Sequence, residues 1–479
     1  MNKQPKALSI FFLTEMWERY GFNMLEILLV IFLISVFSMG DTFSYTTLGS
    51  VTALAYINSI VGGYLADRFL GHRRAVLVSA LILSASYAVL ACSQSMTQVF
   101  WSLSLVTLGT GMLKPNVSSM VGSLYKENDV RRHGGFTLFY IGINAGIMLG
   151  LLIPSYLQTY FSWAVAFSSG AVMLLVGFFT FYLGGRYFKI KDFRVFKMSY
   201  RDWFKVMGIL AITLVISYET IAHPSMALLI FLLVAVVALG VVIYQAFRER
   251  GRARARLWAY FFLLGISVIY WAVYFQIFFS MNLFVDRAVS HHFLGFNLTT
   301  GAFAAVESVG VMFFGAILGK VWTVLGRSRW NPSTPMKFAL GMLMHTAAFG
   351  LLFLSSRLLG VDGFVRPDLV ILVYLIIAIG ELLLSPTGLS MVTELVPERI
   401  VGMMMGIFFI TLGLGGKLAG IFADWSAIPR KMTDVTTIEH IYSHAFLTYF
   451  LICLVAMVIS FALVPLIKRL IATSKTVQA

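Results

Sequence analysis

The sequence predicts an all-α membrane fold, two six-helix bundles separated by two extra central helices, on three observations. Hydrophobic residues make up 59% of its 479 residues and charged residues 12%, with a mean hydropathy of +0.87, values that belong to polytopic membrane proteins. Hydrophobic windows resolve into fourteen spans. The loop that follows the second span also has a degraded copy at the equivalent place in the second half, the internal echo expected of a chain built from repeated halves.

Taken in order, the first six spans cover roughly 9–37, 45–67, 74–93, 98–124, 136–161 and 163–185. Two more, at 206–222 and 225–247, lie between basic loops, and six follow at 257–285, 297–323, 336–356, 368–396, 400–424 and 443–468. The expected division is therefore an N-terminal bundle (1–186), basic loops with a two-helix insert (187–256) and a C-terminal bundle (257–479). The formal charge of +15 sits in loops: seven Lys/Arg lie between Arg186 and Lys205, and five Arg between Arg248 and Arg256. Counted from a cytoplasmic N-terminus, the basic segments 68–74, 126–132, 186–205, 248–256, 320–337 and the tail with Lys468, Arg469 and Lys475 all face the cytoplasm. The expectation is a multi-pass protein of the cytoplasmic (inner) membrane with both termini inside.

Composition also excludes several classes. No aromatic stacking platforms accompany the basic loops, so their charge reads as topogenic and no nucleic-acid partner is expected. Cys92 and Cys453 stand in separate apolar segments, without disulfide or metal-ligand spacing. The first span carries charges and lacks a small-residue cleavage site, which argues against a cleavable signal peptide. Neither a nucleophile motif nor a soluble catalytic domain is visible, so an enzyme is not expected, and no cofactor or obligate protein partner is implied.

Polar residues inside apolar spans are the candidate working parts. In the first span, Glu15, Glu18, Arg19, Phe22 and Glu26 fall within one arc of roughly 100° on a helix. A charge at the bilayer centre costs about 2.5–3.5 kcal/mol on insertion scales, so such a face turns toward a bundle interior and pairs there. The fourth span holds Gly109-Thr-Gly-Met-Leu-Lys114-Pro115-Asn116, an ammonium beside a proline that interrupts the backbone ladder. Asn144, in Phe139-Tyr-Ile-Gly-Ile-Asn-Ala-Gly146, reads equally as helix-packing amide or ligand contact. Glu381, in Gly380-Glu-Leu-Leu-Leu-Ser-Pro386-Thr-Gly388, lies near the midplane of its span, a depth that favours a proton or amine site over a structural role, and Pro386 with Gly388 suggests a bend. Between the second and third spans, Gly62-Gly63-Tyr-Leu-Ala-Asp67-Arg-Phe-Leu-Gly71-His72-Arg73-Arg74 reads as a tight turn. Its glycines suit close helix approach, and Asp67 can cap a neighbouring helix. Its degraded copy runs from Gly315 to Arg329.

The loop containing Asp67 resembles the signature of the major facilitator superfamily, where it would act as a conformational latch built on Gly63, Asp67, Gly71, Arg73 and Arg74. Glu15-Met-Trp-Glu18-Arg19-Tyr20, Gly109 to Asn116, Phe139 to Gly146, Tyr270-Trp271 with Gln276, and Gly380 to Pro397 running on to Gly406 together resemble the proton-coupled oligopeptide transporter (POT/PTR) family. The resemblance implies proton-driven import of di- and tripeptides through alternating access of two bundles. Glu15, Glu18, Arg19 and Lys114 would then couple protons, Lys114 would also meet the substrate carboxylate, and Glu381 and Asn144 would receive its amino terminus. Tyr56 matches a pocket tyrosine and Gln276 belongs to the substrate set. The physical reading agrees, since protonating Glu18 would release Arg19 or Lys114 and link proton to substrate.

Several positions depart from the family pattern. Glu26 stands where a second arginine is usual, following Phe22 and Asn23, and Phe275 replaces a helix-seven acid, so a gate pair is lost from both sides together. Glu307 adds an acid near mid-depth in the 297–323 span, and Lys417 has no assigned role. These changes point toward cationic cargo. The alternatives to peptide symport are thus transport of amino acids or cationic amines and, from another class, a non-transporting ligand sensor on the same fold.

Overall fold

A computed structural model describes residues 4–125, 129, 131–188, 198–325, 328, 331–358, 364–429 and 435–472. It is nearly all helix: α1 (Leu8–Ser35), α2 (Asp41–Leu65), α3 (His72–Ala91), α4 (Met96–Ser123), α5 (Arg131–Tyr160), α6 (Trp163–Tyr187), α7 (Tyr200–Ala222), α8 (Pro224–Arg248), α9 (Gly251–Tyr274) and α10 (Ser280–Ala288). After a two-residue β-hairpin, His292–Phe293 with Phe296–Asn297, come α11 (Thr300–Leu325), α12 (Thr334–Ser355), α13 (Pro367–Leu395), α14 (Val401–Ala423) and α15 (Val435–Ala472). Among the described residues, twelve helical stretches are long and apolar enough to cross a membrane. With α1 and α4, which carry the buried charges, they account for the fourteen expected spans.

Two differences from the expected spans have physical causes. The helices α7, α9 and α15 begin six to eight residues early, at Tyr200, Gly251 and Val435, because an apolar window registers the hydrocarbon-compatible part of a helix and ignores its polar turns. The ninth span is broken: α9 ends at Tyr274, a 3₁₀ turn occupies Phe275–Phe278, and α10 begins at Ser280. No proline or glycine marks this break. The Gln276 side chain is inserted there, donating to the carbonyls of Ala272 (3.2 Å) and Ala419 (2.9 Å) while accepting from Ser280 Oγ (2.6 Å).

The chain forms two compact units, Met1–Met39 with Ser50–Ala227, and Gly40–Gly49 with Leu228–Ala479. In the first, α1 packs on α5 and α6, α3 on α4 and α6, and α7 on α4. Val206 and Leu210 of α7 join Leu65, Ala66, Leu70, Leu108 and Met112 in an apolar cluster, which ties the first insert helix to α2 and α4. In the second, α12 packs on α13 and α15, α11 on α13, and α9 on α14 and α15.

Small residues set two of the closest crossings. A Cβ on Gly111 would lie 2.6 Å from the backbone carbon of Asn58, and one on Gly62 would lie 2.5 Å from Met112 Cα, so α2 and α4 touch backbone to backbone. Pro115 has no N–H, which leaves the Gly111 carbonyl without its usual partner at this same crossing. On α5, a Cβ at Gly146 would come within 2.8 Å of Arg19 Cβ, and one at Gly150 within 2.8 Å of Tyr20 Cα. Helices α4 and α5 thus pack against the charged α1, with α2 held close on α4.

Candidate functional sites in the two units

In the first unit the charged face of α1 is buried as a network. Arg19 Nε lies 2.5 Å from Glu18 Oε2 and 3.5 Å from Glu15 Oε1, and the guanidinium also pairs with Glu18 through Nη2. Glu15 and Glu18 are each 1% exposed, Arg19 6% and Glu26 4%, so the whole group is out of contact with solvent. Among the described residues, Glu15 Oε2 and Glu18 Oε1 have no hydrogen-bond donor, a costly state for ionised oxygens and a receptive one for a proton. The Phe22 ring, 5.5 Å from the Arg19 guanidinium carbon, offers an aromatic face to the cation, while Asn23 Nδ2 donates to the Arg19 carbonyl at 2.9 Å.

Lys114 on α4 places its ammonium 4.2 Å from the centre of the Tyr56 ring, which the tight α2–α4 crossing positions beneath it. Within the 4.0 Å limit for an ion pair it meets no carboxylate among the described residues, yet Glu15, Glu18, Glu26 and Arg19 all act on it electrostatically. The group therefore holds three carboxyls against two cations. Asn144, 3% exposed on α5, donates to the Tyr140 carbonyl of its own helix at 3.0 Å.

A second polar centre lies in the second unit. Glu381 of α13, half-buried, accepts from Tyr274 Oη of α9 at 3.4 Å. Glu307 of α11, 4% exposed, accepts from Ser308 Oγ at 3.2 Å, and the Glu381 carboxyl acts on it electrostatically. His345 of α12 stacks edge-on against Tyr270 at 4.5 Å, in the space left by Gly380, where a Cβ would meet His345 Nδ1 at 2.9 Å. Gln276 is not part of this centre, since its amide is spent on the α9–α10 break. Pro386 does not interrupt α13, and Gly388 instead accommodates the Phe408 ring of α14.

The sequence reading missed Tyr274 and His345. A lone histidine in an apolar span was a visible signal, whereas Tyr274 was hidden among four neighbouring aromatic residues. It also missed Arg287, which grips both oxygens of Asp41 (2.6 and 2.9 Å), while Asp41 Oδ2 accepts the Ile428 amide at 3.0 Å. Lys417 of α14 is 5% exposed, with its ammonium 5.6 Å from the Phe231 ring of α8.

The expected latch differs in detail. The chain leaves α2 through a π-helical turn, Ala66–Leu70, and reverses at Gly71, whose φ of 77° suits glycine. Asp67 does not cap α3, which lacks a side-chain cap; its exposed carboxylate lies 3.6 Å from His72 Nε2. His72 Nδ1 hydrogen-bonds Asn116 Oδ1 at 2.7 Å, joining the loop to the Lys114-Pro115-Asn116 stretch. Gly63, expected at a close helix contact, has no neighbour within 4 Å of a would-be Cβ, because adjacent helical residues diverge by about 100° and Gly62 takes the face toward α4. Arg73 reaches Gly185 of α6, where a Cβ would lie 3.5 Å from its Nε, and Arg74 is exposed. In the degraded copy, Gly315 packs near Leu382, while Gly326, Arg327 and Arg329 lie outside the described residues.

Known proteins resemble this arrangement along its whole length. The sequence profile of the POT family matches residues 73–438. Dipeptide and tripeptide permease A of Erwinia pyrifoliae is 30% identical over 475 residues, covering 98% of this chain and 95% of its own. The protein of the same name from Escherichia coli (strain K12) is 30% identical over 458 residues, covering 93% and 89%. Among solved structures, a peptide transporter POT in complex with sulfate superposes with a TM-score of 0.83 at 26% identity, covering 98% of this chain and 96% of its own. A second, from work on substrate recognition in proton dependent oligopeptide transporters, gives 0.84 at 26% identity, covering 97% and 99%.

Proposed function

The chain belongs to the POT family of helical membrane transporters, and from that premise we propose that it is a proton-coupled symporter importing small peptides or peptide-like amines. The observation that carries the coupling role is the buried Glu15/Glu18/Arg19 group, with two unsatisfied carboxylate oxygens and Lys114 in its field. Three carboxyls facing two cations balance when one carboxyl holds a proton. Protonation of Glu18 loosens its hold on Arg19, and the freed positive charge attracts a substrate carboxylate toward Lys114 above Tyr56. Proton and substrate binding are thereby linked through one network.

In the second unit, Glu381 supplies a carboxylate for an ammonium group of the cargo and Tyr274 fixes its orientation. Asn144 has spare amide capacity beyond its bond to Tyr140. Gln276 acts on substrate only through the shape of the α9–α10 break. The working division is 1–186 for proton coupling, 257–479 for amine recognition and 187–256 as a brace, a role supported by the packing of α7 on α2 and α4. Basic-loop distribution supports placement in the cytoplasmic membrane with both termini inside. A second reading, transport of amino acids or cationic amines, is favoured by Glu26 and Glu307, both buried and both acidic.

Uptake into proteoliposomes tests the coupling. With an inward proton gradient the protein should concentrate labelled dipeptide, and Glu18→Gln should abolish concentration while leaving counterflow exchange measurable. Concentrative uptake by Glu18→Gln would refute the coupling assignment.

A further inference from the structure

His345 stands behind both halves of the Tyr274–Glu381 pair. The Tyr274 hydroxyl donates to the Glu381 carboxylate at 3.4 Å, and Tyr274 is the last residue of α9, where the helix gives way to the 3₁₀ turn Phe275–Phe278. Its ring therefore has no continuing α-helical turn to hold it. Tyr270, Trp271 and Phe275 lie against it but belong to the same stretch of chain, with the Tyr270 ring stacked at 6.3 Å and 14° from parallel. His345 comes from another helix, α12, and its ring centre lies 4.5 Å from that of Tyr270 and 6.3 Å from that of Tyr274.

The acceptor side meets the same imidazole. Glu381 follows Gly380, where a Cβ would lie 2.9 Å from His345 Nδ1 and 3.0 Å from its Cε1, so the ring fills the space that glycine leaves. A Cβ on Gly341, one turn before His345, would lie 3.4 Å from the Gly380 carbonyl oxygen and 3.7 Å from Tyr270 Cε2, so α9, α12 and α13 converge there. The imidazole is completely buried, and its Nδ1 lies 3.3 Å from the Gly341 carbonyl oxygen, which can only accept, so Nδ1 carries the hydrogen of that bond. Nε2 is buried with no hydrogen-bond partner among the described residues. An aliphatic side chain would pack here without that cost, so the histidine serves something besides packing.

We infer that His345 is a positioning residue for cargo recognition. Wedged between Tyr270 and Gly380, it fixes the Tyr274 ring against the backbone at Glu381, and so sets the direction in which the Glu381 carboxylate faces an ammonium group. The Tyr274–Glu381 bond is long for an O–H···O contact, so a small displacement of either partner breaks it. An imidazole is flat enough to enter the gap at Gly380, presents its edge to Tyr270, and is tied to its own helix through Nδ1. The role requires no proton transfer in the second unit and leaves proton uptake to the first. Its consequence for cargo rests on the proposed amine site, whereas the link from His345 to the Tyr274–Glu381 pair does not.

Infrared spectroscopy of the ligand-free protein reads that link without cargo. The tyrosine C–O stretch that Tyr274→Phe removes should shift in His345→Leu and in Gly380→Ala, whose Cβ pushes the imidazole back, with folding of each checked by its thermal melting curve. A band unmoved in His345→Leu, or in Gly380→Ala should that variant alone fold, would overturn the positioning role. Dialanine uptake into proteoliposomes reads the consequence. His345→Leu should raise KM about ten-fold, the loss expected when a hydrogen bond to a charged group is misaligned, and lower the maximal rate by less. In a Tyr274→Phe background the same substitution should add almost nothing, because the bond it aligns is already gone. An unchanged KM in His345→Leu where Glu381→Gln raises it, or equal increases in both backgrounds, would overturn the inference. If the band shifts while Glu381→Gln takes up dialanine with the wild-type KM, the amine reading fails and the link from His345 to the pair stands.

Discussion

Arg19 is the residue on which the first unit depends. Its guanidinium holds Glu18 and Glu15 together, so removing it leaves buried carboxylates facing one another. Arg19→Met should lower stability by about 3–5 kcal/mol, the usual consequence of deleting one partner of a buried ion group, measurable as a drop in melting temperature in detergent. Arg19→Lys should recover only part of it, because a point charge cannot span two carboxylates as the planar fork does. Tyr56 makes a smaller contribution. Tyr56→Phe keeps an aromatic face under the Lys114 ammonium, whereas Tyr56→Leu removes it, and the difference in stability should be about 0.5–2 kcal/mol.

The helices owe their positions to a few small residues and side-chain ties. At the α1–α5 crossing Gly146 faces the α1 backbone, and a larger residue would push Arg19 off its partners. Gly146→Leu should destabilise by about 1–3 kcal/mol and also reduce proton-driven uptake; wild-type uptake by a folded variant would show that the crossing does not position Arg19. In the second unit, Gln276 holds the α9–α10 break with three hydrogen bonds. Gln276→Leu keeps the volume and loses these bonds, so hydrogen exchange around Phe275–Phe278 should accelerate markedly while the rest of α9 remains protected. The break was invisible in the sequence because its residues are as hydrophobic as any continuous helix, and only the Gln276 contact to Ala419, 143 positions away, distinguishes it.

For the whole molecule, the proposed selectivity follows from the buried charges. Glu15, Glu18 and Glu26 face Arg19 and Lys114 in one unit, and Glu307 faces Glu381 in the other. An acidic excess in each of these two groups would disfavour cargo with a second carboxylate and favour cargo with an added cation. In competition uptake, a lysine-containing dipeptide should displace labelled substrate at least about ten-fold better than its glutamate counterpart, which corresponds to roughly 1.4 kcal/mol of discrimination. Glu307→Gln should narrow that ratio, and equal competition by both peptides would reject the charge argument.

By itself the sequence determined the membrane class, the fourteen spans, the family, and which polar residues lie inside apolar helices. Hydrophobic length and the cost of an intramembrane charge are local properties, readable from composition and spacing. Tertiary structure alone decided which of those residues meet. It set Glu307 in the field of Glu381 across α11 and α13, placed the Gln276 amide in a helix break, and gave Asp41 a bidentate partner in Arg287. It also assigned the close helix contact to Gly62 instead of Gly63. Each of these outcomes depends on the rotation of one helix against another, and backbone packing at residues far apart in the chain sets that rotation.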